Sequence, residues 1–351
     1  MNQRKWIAPT VIILFILLLP VWGGIYLESI LILIGIYSIL AIGICLLMGY
    51  AGQISLGQAA FYGIGAYTSA VLATRYSLSP WLGLVAGIAL TGIIAYLIGR
   101  PLLSLPGHML GVATITINII FSTLFAELDF ITGGWPGIGS IPHFSIGGWV
   151  FRKDIHNYYL VWIVVFIVVI VSWNLVHSKT GRALRSLHRF FGGSETAANT
   201  LGVNTANLKT LVFVISAVYS AIAGSLYAHY VTHLTPSPFD PSFSLMIITM
   251  AVIGGMRTLW GGLIGAAFYV GMKEVITLLT QRLAPGASAE YEVIAFALLF
   301  LVMLRFAPQG LVQLPSVVRK HISSRPAGVA GNRSFYDQTR GSFSQQPEEK
   351  R

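Results

Sequence analysis

Charge is what this sequence has least of. Of its 351 residues, 22 are Lys or Arg and 12 are Asp or Glu, a tenth of the chain, while 55% are apolar. A soluble domain carries about a quarter charged residues to cover its surface. A mainly aqueous exterior is therefore excluded, and with it a soluble enzyme, a secreted disulfide scaffold and a disordered regulator. Cysteine is nearly absent too. Cys45 stands alone in an apolar run, so no intrachain disulfide and no thiolate metal cluster can form. It reads as a small hydrophobe in helix packing. Nor do the few acids enter the centres of the apolar runs: Glu28, Glu127, Asp129, Asp154, Asp240, Glu274, Glu290 and Glu292 fall at or near run ends or in linkers. Ion-coupled carriers need a midplane group that titrates or chelates, which counts against that class. Lys179-Thr180 and Lys209-Thr210 have no glycine loop before them, so neither is a Walker A site. HExxH, GxSxG and dinucleotide fingerprints are also missing. The chain reads as no enzyme, with no cofactor and no metal, and any ATP that drives it is hydrolysed by a separate subunit.

Long apolar runs fill the rest. A helix needs roughly 20 apolar residues to cross a bilayer core, and about ten runs are candidates: 7–27, 29–48, 54–74, 81–98, 109–125, 158–176, 210–230, 243–256, 259–279 and 291–306. The expected fold is all-α, a polytopic transmembrane helical bundle with some broken or short helices. The run 243–256 reaches only about 21 Å at 1.5 Å per residue, which leaves open whether it crosses fully. Residues 1–314 form the membrane domain, and 315–351, rich in Ser, Gln, Gly and charge, read as a disordered tail.

The net charge of +10 is explained by excess Lys and Arg on cytoplasmic loops rather than by nucleic acid. With the N-terminus inside, Arg4, Lys5, Arg100, Lys179, Arg182, Arg185, Arg189, Lys209 and Arg257 face the cytoplasm, as do the tail cations. Arg75, Arg152, Lys153, Lys273 and Arg282 face out. Both termini are thus expected in the cytoplasm. A cleaved leader is not expected, because no small-residue cleavage pattern follows Pro20.

Two glycine-dense stretches interrupt the runs. In 49–67, Ala59, Gly63 and Ala66 recur at roughly helical spacing, which lets helix backbones approach closely. Gln53, Ser55 and Gln58 cluster just before them, where a broken helix would open backbone and amide groups to a pathway. In 253–265, Arg257 between glycine pairs reads as a tight turn. A third signal lies in the loop 178–209. Lys179, Arg182, Arg185 and Arg189 form a basic stripe that extends the helix before it, suited to a snorkelling end near anionic lipid. Gly192-Gly193 then breaks the helix. Ser194 is a fitting N-cap, Glu195 complements the dipole of a short helix, and Gly202 is placed to end it at C′.

These residues carry a resemblance. The stretch 49–67 with its Ser-Leu-Gly-Gln-Ala-Ala-Phe core, Gly181-Arg-Ala-Leu-Arg-Ser-Leu, the run from Glu195 through Ala197-Ala198 and Leu201-Gly202-Val203-Asn204 to Lys209, and 252–265 with Pro308-Gln309-Gly310-Leu311 together resemble the permease subunits of branched-chain amino-acid ABC transporters, LivM type of the LivH/LivM pair. The resemblance implies one membrane half of an importer in the bacterial inner membrane. Its partners would be a second, LivH-like permease, two cytoplasmic ATP-binding subunits and an extracytoplasmic substrate-binding protein. The coupling pattern of such permeases maps onto Glu195, Ala197, Ala198 and Gly202, with Thr196 interrupting it and Ser194 at its head. His188–Gly193 stands where such permeases usually carry acidic and polar residues. A zwitterion would pass Gln53, Ser55, Gln58, Asn118 and Ser122. The outer loops 127–157 and 233–242 are large enough to receive a binding protein.

Other cargoes fit the same architecture, including urea, short amides and aromatic acids. An ion-coupled carrier is the rival from another class. His229 and His233, at i and i+4, form the one histidine pair so spaced, read either as a metal pair or as a wet helix end.

Overall fold

A bilayer offers no water to backbone N–H and C=O groups, so a chain this apolar must satisfy them within helices. The computed structural model describes residues 20–105, 107–147, 149–187, 195–200 and 202–283, together with Ala297, Leu301, Arg305 and 310–313. The chain divides into Met1–Val312 and Gln313–Arg351, and apart from Gln313 the second unit lies outside the described residues. So do residues 1–19 and most of the tenth candidate run.

The helices are α1 Pro20–Ile44, α2 Gln58–Arg75, α3 Pro80–Leu102, α4 Gly107–Glu127, α5 Asp129–Thr132 and α6 Asp154–His177. They continue with α7 Lys179–Leu187, α8 Glu195–Thr200, α9 Thr205–Val231, α10 Pro241–Gly254 and α11 Leu259–Leu283. Among the described residues, six segments are long and apolar enough to cross a membrane: Tyr26–Tyr50, Pro80–Leu102, Met109–Glu127, Asp154–His177, Thr205–Val231 and Leu259–Thr280. The protein is thus an all-α polytopic bundle. Among the described residues, the segment between α5 and α6 carries one small hairpin, β1 Ser145–Ile146 against β2 Trp149–Val150.

The first two candidate runs are not divided where the sequence suggests. Glu28 lies inside α1, half-exposed, and the chain runs on through a π-helical turn, Cys45–Tyr50. Glutamate is a good helix former, so a lone carboxylate near a run's end does not stop the helix. The interruption instead falls at Gly24, whose φ of 68° no neighbouring residue type would hold comfortably.

Burial separates inner from outer helices. The spans of α1 and α9 are 78% and 67% buried, against 28% for α3, α4 and α11 and 33% for α6. Leu82, Val85, Ile93 and Leu97 of α3 and Ile163 and Ile167 of α6 are exposed, as a lipid-facing surface requires. Helix α2 lies within, packed chiefly on α9 and α3. Its closest approach uses a glycine from each side. A Cβ on Gly65 would lie 2.4 Å from the Ala221 carbonyl oxygen, and one on Gly224 would lie 2.0 Å from that of Tyr62. Such close backbone contact is how helices associate where lipid removes the hydrophobic drive.

Candidate functional site

The chain between α1 and α2 is irregular. Ala51 and Gln53 donate their backbone N–H groups to Leu46 and Leu47 carbonyls at 3.2 and 3.1 Å, closing the π-helical turn. From there to Gln58 the backbone leans on side chains of other helices. Thr114 of α4 accepts from Leu56 N at 2.9 Å, and Ser244 of α10 accepts from Ala59 N at 3.0 Å. Ser55 accepts from Gly57 N at 3.4 Å. Non-helical backbone at membrane depth survives only with such partners or beside a cavity.

Four of the five expected pathway residues converge on this break. Gln53, Ser55, Gln58 and Asn118 are 4%, 0%, 1% and 0% exposed. Asn118 donates from Nδ2 to Ser244 Oγ at 3.0 Å and to the Leu56 carbonyl at 3.4 Å. Gln58 donates to Ser216 Oγ at 3.1 Å and accepts from Ser220 Oγ at 2.6 Å. Ser122, one turn beyond Asn118, stands apart: it is half-exposed and bonds back to the Ile119 carbonyl of its own helix at 3.0 Å. The amide oxygens of Gln53 and Asn118 are buried without a partner.

Beside the break lies an aromatic layer. Tyr62 stacks on Phe243 at 5.0 Å and Tyr67 on Phe125 at 4.8 Å, and Phe239, fully buried, touches Tyr62, Tyr67 and Phe125. The hydroxyls of Tyr62 and Tyr67 are also buried and unpartnered. Sequence reasoning missed Thr114, Ser216, Ser220, Ser244 and this layer. A hydroxyl in an apolar helix ordinarily bonds its own i−4 carbonyl, so nothing in its spacing distinguishes one that reaches across.

At the other end of α6 the basic stripe departs from expectation. It does not prolong α6: Ser178 is extended at ψ 178° and its Oγ accepts from Gly181 N at 3.3 Å, so a capping serine starts a separate helix, α7. Arg189 and Ser194 lie outside the described residues. The short helix α8 is present, with Ala198 buried and packed towards α7 and α9. Gly202, at φ 81°, donates its N–H to the Asn199 carbonyl at 3.0 Å, and Val203 N donates to that of Ala198 at 3.1 Å. That pair of bonds is a Schellman end with Gly202 at C′. Thr205 Oγ1 donates to Asn199 Oδ1 at 2.8 Å and ties α8 to α9.

The histidine pair splits: His233 is exposed just past the end of α9, as a wet helix end requires, and His229 is not. His229 is 1% exposed, with Nδ1 against the Pro142 carbonyl at 2.6 Å and Nε2 against Ser69 Oγ at 2.8 Å. Both ring nitrogens are engaged by protein. The pairing fails because α9 ends at Val231 and Thr232 is left-handed, so His233 leaves the helical face that carries His229.

A family model described as the permease component of the branched-chain amino acid transport system matches residues 26–304. The chain belongs to this family. It is similar to the high-affinity branched-chain amino acid transport system permease protein LivM of Salmonella typhimurium, 28% identical over 302 residues, covering 80% of this chain and 68% of that protein. It is similar to LivH of Escherichia coli K12 at 26% identity, covering 80% and 92%. A probable LivM of Methanocaldococcus jannaschii is 22% identical over 351 residues, covering 87% and 98%. No solved structure matches. This permease is therefore a polytopic transport subunit of the inner-membrane type, without catalytic chemistry of its own.

Proposed function

We propose that this permease is one membrane half of an ATP-driven importer of branched-chain or other hydrophobic amino acids. The observation that carries the proposal is the break before α2, where the amide oxygens of Gln53 and Asn118 are buried without partners, as are the hydroxyls of Tyr62 and Tyr67 in the helix that follows. A buried polar atom with no hydrogen bond is rare and needs a reason. The oxygens of Gln53 and Asn118 suit an ammonium, the hydroxyls of Tyr62 and Tyr67 can donate to a carboxylate, and the aromatic rings suit an apolar side chain. Ser55 and Gln58 line the same break; Ser122, half-exposed and bonded to its own helix, stands apart from it.

In this reading the residues 1–314 are the permease domain, with about ten spans and both termini in the cytoplasm, and 315–351 are a cytoplasmic tail. A second LivH-like permease completes the pathway, two ATP-binding subunits work beneath it, and a binding protein delivers substrate to the loops 127–157 and 233–242. Closure of the ATP-binding subunits pushes on 194–202, where Ser194, Glu195, Ala197 and Gly202 form the contact; Ala198, expected among them, is buried and seats the short helix on this chain instead. The test is radiolabelled leucine uptake into vesicles holding the complete complex, with and without ATP on the cytoplasmic side. ATP-dependent uptake blocked by isoleucine and valine is the expected result. Block by urea or ribose instead would move the cargo to another class. Uptake that follows the membrane potential and ignores ATP would overturn the importer itself.

A further inference from the structure

The basic stripe of α7 is not uniform. Lys179 and Arg182 are exposed, and among the described residues Arg182 reaches the His177 carbonyl, at 3.5 Å. Arg185 turns inward instead. Its Nη2 donates to the Val176 carbonyl at the end of α6, at 3.4 Å. Its guanidinium carbon sits 5.9 Å from the centre of the Tyr50 ring, within cation–π range. Its Nε is buried and has no partner. A lipid-facing cation would do none of this.

Tyr50 is the last residue of the π-helical turn and is 7% exposed. The same turn also rests on the loop between α10 and α11: a Cβ on Gly49 would lie 1.8 Å from the Met256 carbonyl oxygen. The turn is thus held between α7 and that loop, directly before the stretch that carries Gln53 and Ser55. π-turns recur at functional sites, and a one-residue change between π and α hydrogen bonding re-aims the chain that follows.

We propose that Arg185 is the positioning residue through which α7 and α8 act on the broken segment before α2. This rests on reading 194–202 as the face that meets the ATP-binding subunits. Moving α7 carries the guanidinium, and with it the Tyr50 ring and the Val176 carbonyl. The unpartnered Nε–H leaves a donor free, which a displaced arrangement of α7 would satisfy. The effect is transmitted to Gln53 and Ser55 without Arg185 touching substrate.

The experiment uses the complete transporter in proteoliposomes, with leucine as probe, and reads leucine moved per ATP hydrolysed. Arg185→Met and Tyr50→Leu are each expected to lower that ratio about tenfold. Their combination should be no worse than either alone, as for two halves of one contact. Arg185→Lys keeps a cation over the ring and should recover most of the ratio, which a packing defect would not explain. Gly202→Val, at the α8 end, is measured alongside. If it lowers the ratio while Arg185→Met and Tyr50→Leu leave it intact, or act additively, the Arg185 assignment is wrong and the coupling face stands. If Gly202→Val also leaves the ratio unchanged, the coupling face itself is misplaced and the proposal falls with it.

Discussion

Ser220 Oγ donates to Gln58 Oε1 at 2.6 Å across 162 residues of chain, while Gln58 Nε2 donates to Ser216 Oγ at 3.1 Å. The two hydroxyls stand one turn apart on α9 and grip both ends of one amide, which joins the start of α2 to the middle of the bundle. Gln58→Leu removes both bonds and leaves a buried hydroxyl short of a partner. It should lower stability by about 1–3 kcal/mol, read as a fall in the thermal-aggregation midpoint in detergent, and reduce leucine uptake by more than the loss of folded protein accounts for.

Gly224 has no room for a side chain. Gly224→Ala puts a methyl against the Tyr62 carbonyl, and neither backbone can yield without parting α2 from α9. The expected loss is about 1–3 kcal/mol, with Gly224→Val accumulating little folded protein in membranes. Gly271, with open space around its Cβ position, provides the control: Gly271→Ala should express normally.

His229 holds the segment between α5 and α6 to the bundle. Its Nδ1 bonds Pro142, its Nε2 bonds Ser69, and Ser225 Oγ donates on to Ser69 Oγ at 2.9 Å. His229→Ala should free the 138–144 segment, raising its hydrogen–deuterium exchange while the exchange of α2 below Ser69 changes little. A global rise of the same size would mean that His229 supports the core rather than the loop.

At Gly202 the demand is on the backbone, since none of the described residues lies within 4 Å of a Cβ there. A left-handed conformation costs most residues about 1–2 kcal/mol, and asparagine less. Gly202→Asn should therefore keep ATP-coupled uptake where Gly202→Val loses it. Equal loss in both would show that the position needs a bare backbone for contact, not a turn.

Composition alone determined that this chain lives in a membrane as helices, because a tenth charged and more than half apolar leaves no other surface. Local patterns were equally legible. The C′ glycine of α8, the tight turn at Gly255 and the polar cluster Gln53, Ser55 and Gln58 are all properties of short stretches of backbone and appear where their residues predict.

Tertiary structure decided the rest. Ser216, Ser220 and Ser244 become part of the site only because α9 and α10 pass within hydrogen-bonding distance of the break. Arg185 differs from Arg182 only because α6 stops at Ser178 and turns α7 over Tyr50. Spacing along a helix says which residues share a face, but which neighbour that face meets depends on contacts between segments far apart in sequence. In an apolar chain the contacts made by a few buried polar groups are the ones that matter most.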